Sequence, residues 1–242
     1  MILTTNALSY SYNATTGSRT PDRVIESPGI AIQEHTIYSL LGENMSGKST
    51  LLKILSGHLP TNELVVEVNG KQPRAYSPHH LRVAGVATCH QGDPLFPELS
   101  ISENLLLGLQ GLTCSGVNRK RAEDLLQKHV LRHPKATAHG IRASDPLAHL
   151  SGGLRALVRL LRALSWDFQV VLLDEPTAGL DSDTRHACFQ LLADNLSSPR
   201  SAVFVSHIAS EHEELKTLAY SKNIAYKAWH IVDCVLTDKI KG

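Results

Sequence analysis

The sequence predicts an α/β fold built around a mainly parallel core sheet. Two short segments, "VVLL" at 170–173 and "AVFVS" at 202–206, are apolar in the way that is typical of parallel strands buried on both faces. Between them, "DSDTRHACFQLLADNL" has a helical pattern. Earlier in the chain, the strand candidate "IAIQEHTIYSLLG" runs into a glycine-rich turn and then into the helical pattern "KSTLLKILSG". Strands and helices therefore alternate at both places.

The rest of the chain adds an antiparallel β arm and a helical insertion to this core. "ILTTNALSYSY" at the start alternates like a strand, residues 13–29 read as an exposed loop, and "LVVEVNGKQ" predicts a hairpin arm that turns at Asn69-Gly70. From about residue 94 to 150 the pattern changes to short helices broken by Gly and Pro. We therefore expect a single domain, 1–242, in which a helical subdomain at about 94–150 is inserted in the α/β core.

The composition argues against several classes of protein. Lys plus Arg (24) nearly balances Asp plus Glu (23), so no net field attracts nucleic acid, and we expect no nucleic-acid partner. The four cysteines are far apart and predict neither a zinc site nor a disulfide framework. No run reaches the roughly 18 apolar residues that a membrane span needs. We therefore expect a soluble, cytoplasmic protein.

The segment "GENMSGKS" fits the pattern G-x-x-x-x-G-K-[ST], the P-loop, and lies between a predicted strand and a helix. Glycines let this loop curl so that its backbone N–H groups point at phosphate oxygens. Lys48 would reach the β- and γ-phosphates, and the Ser49 hydroxyl would bind Mg²⁺. The alternative is a plain glycine-rich turn before a capped helix. The predicted nucleotide-binding residues are Gly42, Glu43, Asn44, Met45, Ser46, Gly47, Lys48, Ser49 and Thr50.

Two carboxylates follow the apolar strand in "VVLLDEP". Ligands of open parallel sheets bind at the carboxyl ends of the strands, which is where Asp174 and Glu175 are expected. Asp174 is the predicted Mg²⁺ ligand of the P-loop architecture, and Glu175 is the candidate general base. A turn with two solvated acids is the alternative.

The stretch "HLSGGLR" places two glycines in the first turn of a predicted helix, where each glycine costs about 1 kcal/mol relative to alanine. Ser151 would cap the helix, and the amides of Gly152 and Gly153 would be open to a phosphate. We therefore predict a second anion cradle there. The helix behind it has an apolar stripe and an opposite face of three arginines, Arg155, Arg159 and Arg162.

In this order and spacing, "GENMSGKST", "LSGGL", "LLDEPTAGLD" and the final "SH" of "AVFVSH" resemble the nucleotide-binding subunit of an ABC transporter over most of the chain. The resemblance implies two such domains, in a homodimer or a heterodimer, that sandwich two ATP molecules with Mg²⁺. Ser151, Gly152 and Gly153 would then close over a nucleotide held by the partner's P-loop.

The resemblance also implies roles for single residues. Gln91 resembles the Q-loop glutamine, which contacts Mg²⁺ or the attacking water. His207 resembles the switch histidine, which reads the γ-phosphate and helps to position water. Asp181 matches the D-loop aspartate, which couples the two sites of the dimer. Tyr12 is the candidate aromatic for stacking on adenine, with Tyr10 as the alternative, and an ordinary strand-surface tyrosine is the alternative for either. For Gln91 the alternative is an ordinary loop glutamine, and for His207 it is a structural histidine at the end of a strand.

The sequence departs from the family pattern at two positions. Leu154 stands where the signature usually has glutamine, and Met45 stands where the P-loop usually has a small residue. Neither change removes a catalytic group, so we expect only a modest loss of dimerisation or ATP affinity.

Residues 69–108 resemble the corresponding part of ATPases from carbohydrate and nucleoside uptake systems. This resemblance implies import of a sugar-like solute through a separate integral membrane permease. The permease would dock near Gln91 and the helical subdomain, and would hold the chain at the inner face of the membrane. Two other functions stay open: a soluble ABC ATPase that acts on nucleic acid or ribosomes, and a partner subunit that binds ATP without hydrolysing it.

Overall fold

The computed structural model describes residues 1–11, 24–59, 61, 64–90, 92–107 and 116–237, without the side chains of 24 and 116–118. Its main element is an eight-stranded sheet. Five neighbouring strands at one end of the sheet are parallel, and the remaining three strands continue the sheet beyond the other side of this parallel part. The predicted α/β fold with a mainly parallel sheet is therefore confirmed. In spatial order the strands are β2 (Leu8–Ser11), β3 (Val24–Ser27), β11 (Val235–Thr237), β10 (Ala225–Val232), β5 (Thr36–Gly42), β9 (Ser201–Val205), β8 (Val170–Asp174) and β7 (Val86–Cys89).

A second, antiparallel sheet forms the β arm. Its three strands are β4 (Ala31–Ile32), β1 (Leu3–Thr5) and β6 (Val66–Val68), with β1 in the middle. The chain turns after β6 at Asn69-Gly70, where both residues have positive φ (51° and 69°), as a tight type I′ hairpin turn requires. The turn is thus where the sequence predicts it, although β6 pairs chiefly with β1.

The helices cover the large sheet and fill the segment between β7 and β8. They are α1 (Lys48–Leu55), α2 (Pro78–Val83), α3 (Ile101–Leu106), α4 (Gly116–Leu125) with a π-helical continuation (Leu126–Leu131), α5 (Pro134–Ala138), a 3₁₀ turn (Leu147–His149), α6 (Gly152–Leu164), α7 (Ser182–Asn195) and α8 (Ala209–Ser221). Within the ranges described above, none of these helices has the length and apolar character needed to cross a bilayer. That 94–150 forms a separate subdomain stays a prediction.

Alternate residues of the central strands enter two apolar cores on opposite faces of the sheet. In β8, Val171 and Leu173 join the core that contains α6 and α7, whereas Val170 and Leu172 join the core that contains α1. All four side chains are fully buried. Because burial of one such side chain contributes on the order of 1.5–3 kcal/mol, this strand is firmly anchored, and its carboxyl end is fixed in space.

The prediction of an exposed loop at residues 13–29 is wrong for its last part. Residues 24–27 form β3, which pairs antiparallel with β2, and Ile25 is buried while Glu26 is exposed. The physical reason is that a strand of four residues, two of them apolar, gains its stability from the strands on either side, so the local sequence carries little signal. Residues 12–23 lie outside the described part of the chain.

Candidate functional site

The P-loop connects β5 to α1 and depends on a glycine at its end. Gly47 caps α1 with φ 104°, a left-handed conformation that favours glycine. A Cβ atom on Gly47 would also lie 2.7 Å from the Cδ1 atom of Ile25 in β3. Met45 has a positive φ (63°) and is 78% exposed, so its large side chain is accommodated outside the loop. The loop thus keeps the curled path that the motif predicts.

Lys48 lies at the start of α1 and turns its side chain back over the loop. Its Nζ atom donates hydrogen bonds to the carbonyl oxygens of Gly42 and Glu43, both at 2.7 Å. Burial lowers the pKa of Lys48, and the nearby carboxylates of Glu175 and Asp174 oppose that shift. The result is a buried ammonium group held at the mouth of the loop, next to two acids.

Ser49 joins the P-loop to β8. Its Oγ atom donates to Oδ1 of Asp174 at 2.9 Å. Burial raises the pKa of Asp174, and the hydrogen bond from Ser49 partly offsets that rise. Hydroxyl and carboxylate oxygens are the ligands that Mg²⁺ takes from proteins, usually together with phosphate oxygens and water. This pair of oxygens therefore fits a Mg²⁺ site that a bound phosphate completes.

Glu175 and His207 meet across the sheet edge. The Oε1 atom of Glu175 lies 3.2 Å from Nδ1 of His207, and both side chains are partly exposed. Glu175 has a positive φ (50°), and its N–H donates to the carbonyl oxygen of Val205 in β9. A non-glycine residue in this conformation is strained, and such strain is typical of functional sites. The structure thus brings together two residues that are 32 positions apart in the sequence.

Lys48, Ser49 and Glu175 line a cleft of about 310 Å³. Two of its lining residues, Ile25 and Cys234, are absent from the sequence-based site. A neighbouring cleft of about 670 Å³ lies between the P-loop and residues 230–235 of the β10–β11 hairpin. The sequence of this hairpin gives little signal for a site, because only its long-range pairing with β5 and β3 brings it to the P-loop.

Comparison with known proteins identifies the family. The family model described as ABC transporter matches residues 26–178. The chain therefore belongs to the ABC transporter family.

Similar proteins include the arabinose import ATP-binding protein AraG of Paraburkholderia xenovorans (strain LB400), 31% identical over 80% of this chain and 37% of the relative. AraG of Burkholderia pseudomallei (strain 1710b) is 33% identical over 78% of this chain and 37% of the relative. The ribose import ATP-binding protein RbsA of Shouchella clausii (strain KSM-K16) is 31% identical over 78% of this chain and 38% of the relative. The chain thus spans less than two fifths of the length of these relatives.

Solved structures share the fold. A dimeric ATP-binding cassette in a post-hydrolysis state, bound to ADP and Pi, has a TM-score of 0.71 and 22% identity, with all of both chains covered. A nucleotide-free ATP-binding cassette from an ABC transporter has a TM-score of 0.73 and 19% identity, covering 97% of this chain and 89% of the other. At these identities the likeness is evidence for the fold alone.

The signature segment of this ABC chain lies at the start of α6. Ser151 caps the helix, and its Oγ atom accepts from the N–H of Leu154 at 3.4 Å. Packing within the chain favours glycine at position 153, because a Cβ atom there would lie 2.9 Å from Cγ2 of Thr184. Gly152 has no neighbour within 4 Å of such an atom. Packing within the described chain therefore explains Gly153 and leaves Gly152 open to an outside ligand.

Asp181 lies next to this segment. It caps α7 by accepting from the N–H of Thr184 at 3.1 Å, and its Oδ2 atom accepts from Nζ of Lys135 at 2.7 Å. The hydrogen bond from Lys135 holds the pKa of Asp181 well below its usual range. Since a Cβ atom on Gly153 would meet Thr184, the beginning of α7 and the signature segment are neighbours in this chain.

Two predicted residues, Tyr12 and Gln91, lie outside the described residues. Tyr10, the alternative for adenine stacking, is only 8% exposed and belongs to the apolar core on the α1 side of the sheet. A ring buried in that core offers no free face to a base. Tyr12 therefore stays the predicted stacking residue.

Leu154 is buried in the core between α6 and the sheet, with 2% of its surface exposed. We expect Leu154→Gln to lower the free energy of unfolding by about 1–3 kcal/mol, because the amide loses its water contacts. For the ATP hydrolysis proposed below, we expect the rate per folded molecule to change less than about tenfold, since the family resemblance implies only peripheral contacts for the glutamine that Leu154 replaces. Urea unfolding and phosphate release measure the two effects; a larger change in rate would contradict this assignment.

Asp174 should weaken the fold when no Mg²⁺ is bound. Its pKa is raised, so the folded chain favours the protonated carboxyl group. At acidic pH, where the group is protonated, it does not weaken the fold. That favourable state is lost as the pH rises through the raised pKa, because the charged form is buried. In EDTA at pH 7 we expect Asp174→Asn to raise the free energy of unfolding by on the order of 1 kcal/mol, and to do so less at acidic pH. A destabilised variant at pH 7 would contradict the role of burial.

Proposed function

We propose that this chain binds ATP with Mg²⁺, hydrolyses it, and thereby powers the import of a sugar-like solute through a separate permease. The observation that carries this proposal is the meeting of three pairs at one sheet edge: Lys48 with the P-loop carbonyls, Ser49 with Asp174, and Glu175 with His207. A positive group, an oxygen-only cation site and a carboxylate base are the parts that phosphoryl transfer to water requires.

In the proposed mechanism, Lys48 and the P-loop amides bind the phosphates. Phosphate oxygens replace the carbonyl oxygens of Gly42 and Glu43 as acceptors for Nζ of Lys48. Ser49 and Asp174, with Gln91, hold Mg²⁺, which when bound neutralises charge on the transferring phosphoryl group. Each contact acts on charge that develops in the transition state, so the site lowers the barrier largely by electrostatics.

Glu175 is the proposed general base. Its carboxylate takes a proton from the attacking water, and His207, 3.2 Å away, orients that carboxylate and reads the γ-phosphate. Positioned general bases contribute about 10²–10⁴-fold to a rate, so loss of this carboxylate should remove most of the turnover.

A second copy of such a domain completes the site. Ser151 and the amides of Gly152 and Gly153 would bind the γ-phosphate held by the partner, and the open space at Gly152 supports this role. Asp181 would transmit closure between the two sites, because it adjoins the signature segment through Thr184. The dimeric cassette among the structural neighbours supports the pairing. Either a homodimer or a heterodimer satisfies this arrangement.

The transport role rests on the relatives. Their names assign arabinose and ribose import to proteins about 30% identical to this chain. We propose that a permease docks near Gln91 and the helical segment at 94–150, which would be a subdomain inserted in the core. This contact would hold the chain at the cytoplasmic face of a membrane.

The sharpest test is Glu175→Gln in the full chain. We expect the dissociation constant for ATP to stay within about threefold, because the carboxylate touches water rather than the bound phosphates, and phosphate release to fall at least about 100-fold. Asp167→Asn is the matched control, since this acid is 76% exposed and pairs with Arg200 away from the cleft. Unchanged turnover in Glu175→Gln would refute the base. Binding without any turnover by the unmodified chain would favour a non-hydrolysing partner subunit.

A further inference from the structure

Glu211 is a buried carboxylate that the mechanism above does not use. It lies in the first turn of α8 with 1% of its surface exposed. Its Oε2 atom accepts two hydrogen bonds, from Oγ1 of Thr177 at 2.8 Å and from Oγ of Ser206 at 2.6 Å. Burial of a carboxylate is costly unless hydrogen bonds compensate it, so these two bonds are needed to keep the group in place.

The two hydroxyl groups belong to the segments that carry the proposed catalytic pair. Thr177 is two residues after Glu175, and Ser206 comes immediately before His207. The two segments come from different strands, β8 and β9, and leave the sheet at the same edge. One carboxylate oxygen therefore connects the loop that carries the base to the loop that carries the histidine.

The neighbouring residue His212 fixes Ser206 from a second direction. Its Nε2 atom donates to the carbonyl oxygen of Ser206 at 2.9 Å, because a carbonyl can only accept, and its Nδ1 atom therefore accepts from the hydroxyl of Ser39 in β5. The Ser206 hydroxyl also accepts from the N–H of Ile208 at 3.0 Å. Ser206 is thus held at both its side chain and its backbone, which leaves little freedom for His207.

We propose that Glu211 is a positioning residue: by bonding Thr177 and Ser206 at once, it sets the distance between Glu175 and His207. This inference rests on the proposed function, since it assigns Glu211 to the hydrolysis that this pair performs. Glu211 does not touch the cleft, so it acts only through the two hydroxyl groups. Glu213, two residues on in the same helix, is largely exposed.

The test compares Glu211→Ala with Glu211→Gln in the full chain. ATP-dependent phosphate release gives kcat and KM, and urea unfolding gives the folded fraction to which each rate refers. We expect Glu211→Ala to lower kcat about 10- to 100-fold with KM within about threefold, because misplacement of a catalytic group affects the chemical step. Glu211→Gln should return kcat to within about threefold of the unmodified chain, since its amide oxygen accepts from both hydroxyl groups.

If Glu211→Ala does not fold, variants that remove only one of the two hydroxyl groups test the same role. Thr177→Val and Ser206→Ala each remove one hydroxyl group with little change of shape, and each should lower kcat about 3- to 10-fold at nearly constant KM. Glu213→Ala is the control on the same helix and should leave both constants unchanged.

Three results would overturn the role of Glu211: an unchanged kcat in Glu211→Ala, a loss that only follows the unfolded fraction, or a Glu211→Gln variant as slow as Glu211→Ala. Absence of phosphate release from the unmodified chain would instead refute the proposed function. In that case the ring ¹H–¹³C cross-peak of His207 still tests the positioning. It should shift in Glu211→Ala and stay in place in Glu213→Ala.

Discussion

The hydrogen bond from Ser49 to Asp174 joins two segments on which the rest of the site depends. It links the end of β8 to the beginning of the helix after β5, although β9 lies between these strands. This contact is possible because all three strands are parallel, so that their carboxyl ends share one edge of the sheet. The P-loop, the two acids and His207 each leave the sheet at that edge. The fold therefore determines the site through strand direction and order.

Three buried charged groups in or beside the site are held by hydrogen bonds within the chain, and this has a consequence for stability. Lys48 is held by two carbonyl oxygens, Asp174 by a hydroxyl, and Glu211 by two hydroxyls. Each group is less favourable in the interior than an apolar residue would be. A chain that keeps them gives up stability for geometry, as is common at functional sites. The two apolar cores on either side of the sheet offset that loss.

The parts of the fold and site that local sequence determines were predictable. The apolar strands β8 and β9, the P-loop and the acids after β8 all have short patterns with one physical meaning. No such pattern exists for three other features, because each depends on residues far away in the chain. These are the strand β3, the hairpin at 230–235 and the contacts of Glu211. The glycines of "LSGGL" illustrate both cases: the sequence singles out both, but only the structure separates Gly153, which packs on Thr184, from Gly152, which is open.

The central claim, that the P-loop of this chain binds ATP with Mg²⁺, is tested most directly by calorimetric titration of the full chain with ATP, in Mg²⁺ and in EDTA. The account predicts saturable binding that Mg²⁺ tightens at least about tenfold, and a loss of at least about 100-fold in affinity for Lys48→Ala, because the buried ammonium is the main positive group at the loop. Equal affinity of Lys48→Ala and the unmodified chain, or no binding at millimolar ATP, would contradict it.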